Sequence, residues 1–148
     1  MSSSPLPRHS VQRSAALLGA LSLLVAGAAP ATAVGGRPFT VHLSGGAEVP
    51  GPGDPDGSGV AEVTVNPGRG EVCWEITVEG VDPILAAHIH VGTADVAGPV
   101  VVPLNPYTGG CAAVDRALAK ELLKDAGSYY VNVHNATYPA GALRGQLG

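Results

Sequence analysis

The stretch that decides the fold is Ala87-His88-Ile89-His90-Val91-Gly92, answered near the C-terminus by Tyr129-Tyr130-Val131-Asn132-Val133-His134. In an extended chain successive side chains point to opposite faces. Ala87, Ile89 and Val91 therefore share one face, and His88 and His90 share the other. The later stretch repeats the pattern, with Tyr129, Val131 and Val133 on one side and Asn132 and His134 on the opposite one. Both read as strands that turn an apolar face to a core and hold imidazoles on the outer face.

Working outward, the same two-residue period recurs. Phe39, Val41 and Leu43 alternate with Thr40, His42 and Ser44, which predicts a half-buried strand. Ala61, Val63 and Val65 form a second, and Val72, Trp74, Ile76 and Val78 a third after the turn Asn66-Pro67-Gly68-Arg69-Gly70, so these two make a hairpin. Cys73, Glu75, Thr77 and Glu79 then fall on the outer face. Residues 45–59 are rich in Gly, Pro and Asp and read as a long loop. Residues 100–104 are a short apolar run, leading into Asn105-Pro106-Tyr107-Thr108-Gly109-Gly110-Cys111, read as loop. A last strand alternates Leu143, Gly145 and Leu147 with Arg144 and Gln146. One helix is expected over residues 115–126, with Asp115 as N-cap, Leu118, Leu122 and Ala126 on one face, and Gly127 at C′. Six or seven short strands with one apolar face each, and one helix in a connection, predict an all-β domain, two packed sheets or a flattened barrel.

The first residues carry a targeting pattern. Arg8, His9 and Arg13 precede an apolar run over residues 15–29, and Ala31-Thr32-Ala33 is a small-residue cleavage site, so residues 1–33 are expected to be a signal peptide. The run is too short and too rich in Ala and Gly for a membrane span. The expected product is a secreted, extracytoplasmic domain over residues 34–148. Arg8 and Arg13 lie outside it, so it carries 12 acidic against 6 basic residues, a net charge of −6. Nothing basic is clustered, and aromatic residues are few, which excludes a nucleic-acid partner. The acidic residues are scattered and read as solvated surface. The partner expected is an unidentified extracellular protein or surface ligand.

Cys73 and Cys111 are the only two cysteines. In an exported chain a lone pair reads as a disulfide, and two free thiols acting as metal ligands are the alternative. Closing the intervening loop is worth about 4 kcal/mol on the chain-entropy model.

The histidines carry the chemistry. His88 and His90, one strand repeat apart, lie about 7 Å apart at Cα, close enough for their rings to converge on one ion. Neutral imidazole suits copper or zinc, and three such ligands leave a coordination position open. His134 is the third candidate and His42, on the outer face of the first strand, a fourth. Against this stands a structural reading, in which His88 and His134 hydrogen-bond loop carbonyls. Arg144 either draws an anion towards His134 or pairs with carboxylates and carbonyls, and Asn132 reads as a loop-tethering amide. Trp74 is expected in the core. Asn135-Ala136-Thr137 fits a glycosylation acceptor. Asp54 and Asp56 lack the later acidic ligand of a calcium loop. No Gly-x-Ser-x-Gly or phosphate-loop pattern occurs, so nothing points to a hydrolase.

Ala87-x-Ile89-His90-x-Gly92, Gly98-Pro99-x-Val101-x-x-Leu104, and Tyr129-Tyr130-Val131-Asn132-Val133-His134 followed by Pro139-x-Gly141-x-Leu143-Arg144-Gly145-Gln146-Leu147 together resemble the chordin-type domain, CHRD, from about Phe39 to the end. The resemblance implies an all-β extracellular module; the family occurs in animal proteins that bind growth factors and in many bacterial exported proteins. Ala142 departs from the pattern, where the family often carries an acidic residue. A more distant likeness is to copper-zinc superoxide dismutase, a Greek-key β-sandwich. It implies copper ligation by His88, His90 and His134. Here Val100-Val101 stands where that family has its bridging histidine, so a zinc site beside the copper is not expected.

The expectation is thus a superoxide-dismutase-like Greek-key sandwich or flattened barrel, secreted, with a Cys73–Cys111 disulfide. Its expected role is non-enzymatic binding or structure. The rival reading is a mononuclear copper or zinc protein, with redox activity open to it.

Overall fold

Alternation is the rule that builds the sheet. The computed structural model describes residues 35–148; the expected signal peptide lies outside the described residues. They belong to one unit, Thr32–Gly148. Eight strands form: β1 (Arg37–Ser44), β2 (Ser58–Asn66), β3 (Glu71–Glu79), β4 (Ile84–Val91), β5 (Val100–Pro103), β6 (Gly109–Ala113), β7 (Tyr129–Asn135) and β8 (Leu143–Gln146). Helix α1 (Arg116–Lys124) crosses between β6 and β7, and single 3-10 turns follow β1 and α1. All described pairings are antiparallel, in the order β5-β4-β7-β8-β1-β2-β3-β6. Pairing of β4 with β7, β1 with β8 and β3 with β6 skips along the chain as a Greek key does.

The sheet curls into a nearly closed barrel. Between its edge strands the chain runs from β5 to β6, donating Leu104 N–H to Ala87 O on one side. On the other side it accepts the Trp74 indole N–H at Pro106 O and gives Thr108 O to the Ile76 N–H. The inward residues of each strand fill the interior as the period requires. Phe39, Val41, Leu43, Ala61, Val63, Val65, Val72, Trp74 and Ile76 are buried from the first three strands, and Ala87, Ile89, Val131, Val133 and Leu143 from the others.

Three details differ from the sequence reading. Cys111 lies in a strand, β6, directly opposite Cys73 of β3, and the two form a disulfide. Gly109-Gly110 masks that strand in the sequence; here it exists because β3 offers an unpaired edge and the disulfide holds the register. The helix begins as expected, with the Asp115 side chain accepting from Ala117 N–H. It ends sooner, at Lys124, and Gly127 sits in the 3-10 turn Ala126–Ser128 rather than at C′. Its buried residues are Ala119 and Leu122, a narrower contact face than the expected stripe. The loop after β1 is irregular as expected but not wholly exposed, for Glu48 and Asp54 are buried in it.

The outer face is open over one half of the sheet and covered over the other. Over β4, β7 and β8 lie the segment 45–57 and the β4–β5 connection, residues 92–99. The first is tied by Asp54 N–H to Ala142 O, the second by Gly92 N–H to Ser128 O and Val91 N–H to Pro99 O. Beneath them Tyr130, Asn132, Arg144 and His90 form a second, polar layer of buried side chains.

Candidate metal centre

His88 and His90 project from β4 onto this outer face, and His134 from the neighbouring β7. Register sets which groups meet. His90 is opposite Tyr130, His88 opposite Asn132, and His134 opposite Ala86. His88 and His134 are thus diagonal neighbours, within reach of long side chains across an antiparallel pair. Their rings meet edge to face at 5.0 Å, with His88 Nδ1 3.1 Å from His134 Nε2. His90 completes the group, and one nitrogen from each of the three rings lies within 4.8 Å of the others. Nitrogens bound to one ion at about 2.0–2.1 Å stand at most about 4.2 Å apart. Ring rotations of about an ångström or less would bring all three within bonding distance.

Protons are placed by the backbone. His90 Nδ1 is 2.8 Å from Gly98 O, and His134 Nδ1 is 3.1 Å from Pro139 O. A carbonyl only accepts, so both Nδ1 atoms donate and both rings carry their lone pair on Nε2. His134 Nε2 faces His88 Nδ1. His90 Nε2 is buried with no hydrogen-bond partner. An unpartnered buried acceptor is costly, and a Lewis acid is one species that would satisfy it. The donor set, the tautomers and the orphaned nitrogen fit a late transition metal.

All three imidazoles are held below their ordinary value. Burial is the largest cause in each. His88 is lowered further by His134 and His90. His90 is lowered by Arg144 against the Gly98 hydrogen bond. His134 is lowered by His90 against the Pro139 hydrogen bond. The rings are therefore neutral at physiological pH, the form that coordinates a metal.

A layer of contacts fixes His90. Tyr130 stacks on its ring at 4.8 Å and 10°, and the Arg144 guanidinium lies 3.5 Å from the other face of Tyr130. The Tyr130 hydroxyl accepts from Gly98 N–H, so ring and hydroxyl together position the carbonyl that His90 uses. A Cβ at residue 98 would run into Val91 O, which is why a glycine stands there. Arg144, 1% exposed, donates through Nη2 to Thr93 O and Val96 O and to Gln146 Oε1. It clasps the 92–99 connection and has no open path to solvent on which to draw an anion.

The remaining candidates are placed as follows. Asn132 donates through Nδ2 to Glu48, the loop tether expected of it. His42 shares the outer face but is exposed and lines a separate hollow of about 460 Å³ with Ser58, Thr77 and Glu79, apart from the three-histidine group. His88 also lines a hollow of about 370 Å³ with Leu85, Pro103, Pro106 and Tyr107. Asn135 is buried and its Oδ1 accepts from Tyr138 N–H, so the glycosylation pattern is not presented on the surface. Asp54 Oδ1 accepts from Asp56 N–H, closing a turn. Glu48, beside the site through Asn132, is the buried group that the sequence does not announce. Burial pushes its carboxyl up to about 7, against the opposing pull of Arg144, Asn132 and the Val49 backbone.

The fold and this face define an all-β module with a histidine-bearing outer surface. The chain belongs to the CHRD domain family, whose model matches residues 39–147. No curated protein and no solved structure matches it. Among the described residues, no helix is long and apolar enough to cross a membrane.

Proposed function

We propose that this chain is a secreted, non-enzymatic CHRD-type binding module whose outer face holds one copper or zinc ion through His88, His90 and His134. The reading rests chiefly on one observation: backbone carbonyls take the Nδ1 protons of His90 and His134, which leaves a lone pair on each Nε2, that of His134 facing His88 Nδ1 and that of His90 buried without a partner. A histidine serving only to tether a loop has no need of a bare, buried second nitrogen. His90 has one. Three imidazoles leave a position for a further ligand, from solvent or from a partner. A ligand from an extracellular protein or surface molecule would make the ion a docking point. The targeting pattern at residues 1–33 and the disulfide support an oxidising, extracytoplasmic setting.

Elemental analysis of the protein, purified without a His-tag and challenged with copper and zinc, tests the proposal. About one tightly held ion per chain is expected, lost in His90→Ala while the variant stays folded. A folded parent that retains none refutes the metal reading and leaves the structural one.

A further inference from the structure

Glu48 is a buried carboxyl group that the metal reading does not use. It is 7% exposed, it lies in the segment 45–57, and its partner Asn132 is 84 residues away in β7. The pairing is incomplete with an ionised carboxylate. Asn132 Nδ2 donates to Glu48 Oε1, while Asn132 Oδ1 is buried with no donor. The carboxyl and amide lie side by side over Gly141, at φ 158°, where a Cβ would strike both Glu48 Oε2 and Asn132 Nδ2. A neutral carboxylic acid offers what a carboxylate lacks, one O–H donor. Donated to Asn132 Oδ1, it closes a cyclic acid–amide pair and satisfies the orphan.

An ionised Glu48 has an alternative partner. Arg144, opposite Asn132 in β8, has its Nη1 buried and unpartnered. It is the one charged group acting on Glu48; Asn132 of β7 and the Gly141-Ala142 backbone bring none. An ionised Glu48 keeps the bond from Asn132 Nδ2, gives up the bond to Oδ1, and is drawn towards Arg144.

We infer that Glu48 is a proton-operated latch, which as a neutral acid pins segment 45–57 to β7 and on ionisation loosens it, uncovering the polar layer beside the histidines. The inference does not depend on the metal reading. Its sign follows from linkage. A carboxyl raised in the closed state makes closure strongest below about 4.5, the open-state value. Closure weakens about tenfold per pH unit up to about 7, the closed-state value, and changes no further above it. The segment is then held more firmly in acidic than in neutral surroundings.

The test is carbon-13 NMR of the Glu48 carboxyl in the full chain, with amide hydrogen exchange over residues 48–54, corrected for intrinsic rates, from pH 4.5 to 8. The expected carboxyl midpoint is about 7, with exchange protection lost over the same window. In Glu48→Gln, whose amide mimics the neutral acid, protection should stay flat. The difference between parent and variant also removes the contribution of the histidines. A carboxyl titrating near its ordinary value overturns the latch, as does a Glu48→Gln profile that matches the parent. Should the variant fail to fold, the carboxyl midpoint alone decides.

Discussion

His88 Nδ1 of β4 and His134 Nε2 of β7 face each other at 3.1 Å across two adjacent antiparallel strands. Two neutral imidazoles share a single proton at that distance. His134 has already committed its own proton, on Nδ1, to Pro139 O. The pair is therefore one proton away from two converging lone pairs, and on the proposed reading a metal ion would take the place of that proton.

Removing the third ring tests whether the group acts as a unit. If the proposed site holds, His90→Ala should lower metal affinity at least ~100-fold, because three ligands would become two. It also deletes the stacking on Tyr130 and the Gly98 hydrogen bond, so the metal-free variant should lose about 1–2 kcal/mol in denaturant unfolding. A variant that unfolds no differently but keeps its metal would assign the ion elsewhere.

On the proposed reading, protons and metal would compete for the same nitrogens. All three imidazoles have folded-state values below 6.5, so the folded chain binds protons less readily than the unfolded one. The stability this contributes is fully present above about 6.5 and is lost as pH falls through the lowered folded values. Metal affinity, measured by calorimetric titration, should be level above pH 6.5 and fall on acidification below it, with protons released on binding under acidic conditions.

Arg144 is predicted to be structural. Arg144→Lys keeps the charge but loses the fork that serves Thr93 O, Val96 O and Gln146 Oε1 and the flat contact with Tyr130. It should cost about 2–4 kcal/mol in chemical denaturation, since buried carbonyls lose their donors. Residues 92–99 should show faster hydrogen exchange while β1–β3 do not.

The disulfide joins edge strand β6 to β3 across a separation of 38 residues. Replacing both cysteines with alanine should lower unfolding free energy by up to about 4 kcal/mol on the chain-entropy model. The triad lies on β4 and β7, so metal stoichiometry in the folded variant should be unchanged.

How far the sequence could be read depends on where each residue's environment comes from. Ile89 and Val131 announce their burial through neighbours two residues away, and the outer placement of His88, His90 and His134 follows from the same period. Asp115 was legible as an N-cap because capping is local. The pairing of Cys73 with Cys111 followed from redox setting. What stayed hidden is non-local. Gly109-Gly110 carries no alternation, and becomes strand only beside β3. Glu48 looks like any solvated acid in a Gly/Pro loop, since its surroundings come from Asn132 and Gly141, far along the chain. His42 has the right face but sits on β1, with β8 between it and β7, so two strand spacings of about 4.8 Å keep it from the triad.

The most direct measurement is nitrogen-15 NMR of the imidazole rings while one equivalent of zinc(II) is added to the tag-free protein. Coordination shifts are predicted at His88 Nδ1, His90 Nε2 and His134 Nε2, saturating together at one ion per chain, with His42 unmoved. Rings that do not respond at one equivalent, or a response confined to His42, would contradict the three-histidine site.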